Sequence, residues 1–205
     1  ITEVAGWADM AGYRGILIYT DNQLVDPWLV AQIVIESSEQ VCPLVAIQPV
    51  YMHPYTAAKM VSSLGHIYGR QVFLNMVAGG FRNDLRALAD HTEHAERYAR
   101  LVEYTLVMKR LLKGDRVSFS GTYYTVEQLS LSPPLAPDLF PGVFVSGSSQ
   151  AGVAAARAPE GAASTAGDKP APGAEPTNWE AAFSGPAWHL DPKSGEYYLH
   201  LFSPK

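Results

Sequence analysis

Three short apolar runs rich in β-forming side chains recur along the chain at residues 16–19, 44–47 and 72–77, so that Ile16, Leu44 and Val72 stand 28 residues apart. Each run is apolar at consecutive positions, as a strand buried on both faces requires. The intervening segments change period. Residues 24–40 and 54–69 place apolar side chains at helical spacing, and Gly69 after Tyr68 suits a helix C-cap. Strand and helix in alternation predict an α/β fold with a parallel sheet and right-handed crossovers.

A fourth strand is expected at 143–146, after a much enlarged connection. That connection opens with a long helix from about His91 to Lys113, on which Tyr98, Leu101, Val102, Thr105, Met108 and Leu112 form one stripe. Asp90 and Glu93 have the spacing of a capping box. The segment VSFSGTYYTVEQL then predicts a hairpin around Ser-Gly. LSPPLAPDLFPG, with four prolines, is expected to lack regular structure.

Composition divides the chain further. In residues 158–177, Ala, Gly and Pro fill 13 of 20 positions without an aromatic, which marks a flexible linker. Residues 178–205 then carry six aromatics in 28 positions. DPKSG between apolar segments predicts a β-hairpin tail there. The expected organisation is therefore a domain at 1–157, a linker at 158–177 and a tail at 178–205.

The overall balance is that of a globular protein, with 47% hydrophobic and 17% charged residues. A net charge of −5, with Lys and Arg dispersed, leaves no basic face for a nucleic acid. No apolar run reaches the roughly 20 residues that span a bilayer. The lone Cys42 forms no internal disulfide and fits a reducing, cytoplasmic setting. The first residue is Ile1, within a helical pattern, so the expected N-terminus is a truncated one.

TDNQLVDPWLVAQ, LVAIQPVYMHPYTAAKMVSSLGHIYGR, VFLNMVAGG, ERYARLVEYT and GVFVSGSSQAG occur in this order between residues 1 and 157. Together they resemble the bacterial luciferase-like, flavin-dependent monooxygenases, including the alkanesulfonate monooxygenase type. The resemblance implies a TIM (β/α)8 barrel that takes FMN, as reduced flavin from a partner reductase, and uses O2 to oxidise a small organic substrate. A whole barrel typically needs about 250 residues. The four strands therefore correspond to a partial barrel, the second through fifth strands of the family, and its open edges favour self-association. The tail, PTNWEAAFSGPAWHLDPKSGEYYLHLFSPK, resembles a stretch of α-amylase-family glycoside hydrolases of the α-glucosidase and trehalose synthase type. A chimeric reading frame is the expectation that follows. A non-catalytic fragment and a glycoside hydrolase fragment stand as alternatives to the monooxygenase.

Ligands of such barrels sit where strands end and βα loops begin. In SGSSQAG, the resemblance places the FMN phosphate on Gly147, Ser148 and Ser149; an ordinary serine N-cap accounts for the same residues. NMVAGG offers Asn75, Ala78 and Gly79 to a flavin ring, or merely a tight βα turn, and Ala78 stands where many relatives have Thr. Tyr98 resembles a family tyrosine that reaches the flavin, or is a core aromatic of its helix. Asn22 and His53 are candidates for substrate contact, with helix capping the alternative for His53. His91 and His94 lack the further ligands of a metal site, and no catalytic acid or base is assigned.

Overall fold

The strand rhythm materialises as a parallel sheet in a computed structural model, which describes residues 1–147 and 149–158 and the backbone of 200–202. Ser148, the remainder of the expected linker and all but residues 200–202 of the expected hairpin tail lie outside the described residues. Helix α1 (Thr2–Met10) leads into β1 (Gly15–Ile18), α2 (Pro27–Glu36), β2 (Cys42–Ile47), α3 (Pro54–Tyr68), β3 (Phe73–Val77) and α4 (Arg82–Ala87). The enlarged connection carries α5 (His94–Leu112) and the hairpin β4 (Val117–Ser120) and β5 (Thr125–Leu129), before β6 (Val143–Ser146) and α6 (Gln150–Ala156). The last described strand is β7 (His200–Phe202).

Local chemistry fixes the helix ends. The Asp26 carboxylate accepts the N–H groups of Trp28 and Leu29 at the start of α2, with Pro27 in the first turn. At α3 the His53 ring caps Tyr55 N, and Gly69 closes the helix at φ +62°, a conformation open to Gly at little cost. The proline-rich segment holds one 3-10 turn, Pro137–Leu139, a small addition to the expectation of no regular structure.

The sheet runs β6-β3-β2-β1-β7, with the first four parallel and β7 antiparallel against β1. Only one of the two edges expected to be open is therefore unpaired among the described residues: Gly15 to Leu17 face Phe202 to His200. The helices cover one face. Ile16, Ile18, Val45, Ile47, Leu74 and Met76 are each at most 6% exposed beneath them. At about 25 cal/mol per Å2, such burial is the main stabilising term. On the opposite face of β3, Phe73, Asn75 and Val77 stay half-buried, as the interior positions of a partial barrel do.

Helix α5 corrects two expectations. Its buried residues are Tyr98, Leu101, Tyr104, Val107, Met108, Leu111 and Leu112. Val102 and Thr105 are only half-buried, and Tyr104, Val107 and Leu111 are buried in addition to the expected stripe, because the helix packs on α3, on α6 and on β4. The Asp90 and Glu93 capping box does not form: Glu93 is the N-cap without a side-chain bond, and Asp90 instead binds Thr92 and Arg100.

The Arg100 Nη2 to Asp90 Oδ2 distance is 2.7 Å, with the two side chains 14% and 7% exposed. Burial pushes the Asp90 carboxyl up, but hydrogen bonds from Arg100 and Thr92 and the guanidinium charge outweigh it and hold it down at about 2, against an ordinary value of 3.8. A depressed folded-state pKa contributes stability above the unfolded value that is lost as pH falls through the folded one. The contribution is about 2 kcal/mol near neutrality and roughly half that at pH 3. Urea melts should therefore show the gap between wild type and Asp90→Asn narrowing from about pH 6 to about pH 3. A gap independent of pH would mean that the pair is solvated.

Candidate functional site

The C-terminal ends of β3 and β6 lie side by side, with Asn75 beside Phe144 and Val77 beside Ser146. Ser146 Oγ donates to Asn75 Oδ1 at 2.7 Å, tying the two strand ends together. Tyr98, in the second turn of α5, donates its hydroxyl to the Ser146 carbonyl at 3.3 Å. The His94 ring stacks edge-on against Tyr98 at 5.3 Å.

Gly147 is what admits that hydroxyl. It lies at φ +154°, and a Cβ there would come within 2.2 Å of Tyr98 Oη. Gly152 is similarly constrained, since its Cβ would lie 3.1 Å from both Gly147 Cα and Tyr98 Oη. Ser149 caps α6 by accepting from Gly152 N at 3.1 Å, so the capping alternative is realised for its hydroxyl. The Ser149 hydroxyl retains its own proton for a further bond.

The turn after β3 completes the cluster. Gly79, at φ +131°, presents its carbonyl to Arg97 Nη1 at 3.3 Å, and a Cβ there would meet that nitrogen at 2.9 Å. Ala78 is 5% exposed. Arg97 was missed in the sequence; its only signal is adjacency to Tyr98. Its Nε is buried without a hydrogen-bond partner among the described residues, an orphan donor on a cation.

Asn75, Ala78, Gly79, Tyr98, Gly147 and Ser149 thus belong to one neighbourhood formed by β3, the start of α5 and the β6–α6 turn. Asn22 and His53 have other contacts. Asn22 binds Asp84 through its backbone N–H and side-chain amide, and accepts from the Tyr51 hydroxyl at 2.8 Å. His53 Nδ1 accepts from Tyr55 N, and its ring meets Tyr124 at 5.8 Å. Burial holds its pKa below the ordinary imidazole value. No group of three or more metal-ligating side chains occurs among the described residues.

A parallel sheet with helices on one face and polar, glycine-rich turns at its strand ends defines a partial TIM barrel. The chain belongs to the family Luciferase-like monooxygenase, whose match covers residues 1–175. Residues 162–205 match a second family, Alpha amylase, catalytic domain. A 38% identical relative is the 4-(gamma-L-glutamylamino)butanoyl-[BtrI acyl-carrier protein] monooxygenase BtrO of Niallia circulans, over 74% of this chain and 45% of that protein. Two solved structures share the fold. The oxygenating constituent of 3,6-diketocamphane monooxygenase from Pseudomonas putida, in complex with FMN, is 18% identical with a TM-score of 0.59, over 71% of this chain and 45% of that one. An F420-dependent secondary alcohol dehydrogenase is 23% identical with a TM-score of 0.62, over 71% and 47%. The chain spans about half the length of the relatives it matches. No helix among the described residues is long and apolar enough to cross a membrane.

Proposed function

We propose that this chain is the flavin-binding part of an FMN-dependent monooxygenase, taking reduced flavin from a separate reductase and O2 to oxidise a small organic substrate. The observation that carries the reading is the Tyr98 hydroxyl lodged against Gly147. It brings together two sequence-distant segments, each of which resembles a flavin contact.

The residues present fit the group. Arg97 Nε is a buried cationic donor without a partner among the described residues, and an anionic phosphate is its natural partner. Gly147, Ser148 and Ser149 would bind that phosphate through N–H and hydroxyl groups, with Tyr98 alongside. Asn75, Ala78 and Gly79 would form the surface against which the ring rests. Bound reduced FMN supplies the electrons with which O2 is activated for transfer of one oxygen atom to the substrate. This chain's own residues bind and orient; none is assigned a proton-transfer role.

A fluorescence titration of FMN, oxidised and then reduced, tests the reading. Saturable binding with Kd on the order of 10 μM is expected, weakened about tenfold or more when Ser148 and Ser149 are both changed to Ala. Absence of saturation by a folded sample would overturn it. The match of the tail to a second family favours another reading, a non-catalytic hybrid, and that outcome would support it.

A further inference from the structure

A cavity of about 320 Å3 opens beside the ends of β1 and β2, away from the Tyr98 and Gly147 neighbourhood, and the proposed flavin site does not use it. Asp21, Asp26, Gln48 and Tyr51 contribute its polar lining, and Trp28 and Met52 are among its apolar walls. The volume is at the lower end of what small-molecule pockets offer.

The polar groups are biased towards acceptors. Gln48 is 2% exposed; its amide nitrogen spans 3.4 Å to the Thr20 carbonyl, and its amide oxygen takes no hydrogen bond from a described residue. That leaves the amide oxygen of a deeply buried residue in the cavity lining as an acceptor for a ligand that donates to it. The Asp21 and Asp26 carboxylates each use one oxygen on loop and helix N–H groups, Asp21 for Gln23 and Leu24 and Asp26 for Trp28 and Leu29. Their second oxygens take no hydrogen bond from a described residue. Tyr51 spends its proton on Asn22, which leaves its oxygen as an acceptor. The Tyr51 hydroxyl is pushed above its ordinary pKa by burial and then by the charges of Asp84 and Asp21, a sign of negative potential in this region. Among the described residues, no Lys, Arg or His lines the cavity.

From this lining we infer that the cavity binds the ammonium end of an alkylammonium ligand. An ammonium group brings three donors and one positive charge, which matches two carboxylates and the spare Gln48 amide oxygen, while the apolar walls accept the alkyl stem. A carboxylate ligand would meet like charge, and an alcohol would satisfy at most one acceptor. The inference deepens the proposed function by assigning one end of the substrate, and it rests on that reading only for the word substrate.

The test is calorimetric titration of the full chain with n-butylammonium chloride, n-butanol and sodium butyrate at low salt, with FMN titrated into the same samples. Butylammonium should bind with Kd on the order of 1 mM, and the other two at least about tenfold more weakly. Asp21→Asn and Asp26→Asn keep the acceptor oxygens that cap the loop and helix but remove the charge. Each should weaken butylammonium about tenfold while far-UV circular dichroism stays unchanged. Gln48→Leu should also weaken it. Equal binding of butanol, or no effect of either Asn variant in a folded sample, would overturn the inference. FMN binding without ammonium binding overturns it and leaves the flavin reading standing; ammonium binding without FMN sinks the flavin reading alone.

Discussion

Gly147→Ala should cost about 1–3 kcal/mol of stability and weaken FMN by about tenfold or more. The added Cβ would sit 2.2 Å from Tyr98 Oη and 3.0 Å from its Cζ, in backbone at φ +154° that side-chain-bearing residues rarely adopt. Neither conflict relaxes locally. Retreat of Tyr98 would break its bond to the Ser146 carbonyl, and retreat of the turn would press on Gly152. In a Tyr98→Phe background the nearest conflict vanishes and the Cζ contact remains, so Gly147→Ala should cost less there than in wild type. A double-mutant cycle by urea denaturation, read alongside FMN titration, checks this. Strictly additive effects would mean that Tyr98 does not occupy the Gly147 notch.

Much of the fold was legible because its signals are local. The 28-residue strand interval, the Gly69 cap and the Ser-Gly hairpin each depend on neighbours within a few positions, and β3, β6, α3 and the β4–β5 pair appear where those signals place them. What escaped depends on long-range partners. Asp90 abandons the capping box because Arg100, ten positions on, offers a charge-assisted bond that only the folded α5 presents. The bond of the Asn22 amide to Asp84, 62 positions away, has no local signal either. The pairing of β7 with β1 joins opposite ends of the chain, and no local pattern at 200–202 names its partner.

The meeting of the candidate site's segments was not legible in the sequence. NMVAGG, ERY and SGSSQAG were each ambiguous alone, and their meeting around Tyr98 is a tertiary fact. The tyrosine is 9% exposed, on the buried face of α5, and its hydroxyl reaches the β6–α6 turn. Arg97 carries no pattern of its own. It becomes conspicuous only when Gly79 turns back at φ +131° to accept from the guanidinium at 3.3 Å, while Nε is buried without a partner among the described residues.

Trp28→Ala is expected to be the most damaging single truncation in the core, at about 3–5 kcal/mol. Trp28 is 2% exposed and is the largest of the fully buried side chains among the described residues. It sits in the first turn of α2, which it anchors against the sheet. A loss of that size is a third or more of the stability of many domains, which is typically about 5–15 kcal/mol. The neighbouring cavity sets where in the range the cost falls. Because Trp28 already lines about 320 Å3 of open space, truncation enlarges a solvent-connected volume rather than sealing a void, so collapse or hydration can recover part of the loss. The lower half of the range is therefore expected, and Trp28→Phe, which keeps an aromatic wall, should cost less than half as much. Urea melts measure both. A Trp28→Ala cost below about 1 kcal/mol would show that α2 is not held to the sheet by this side chain, and the cavity it borders would then lack a fixed wall.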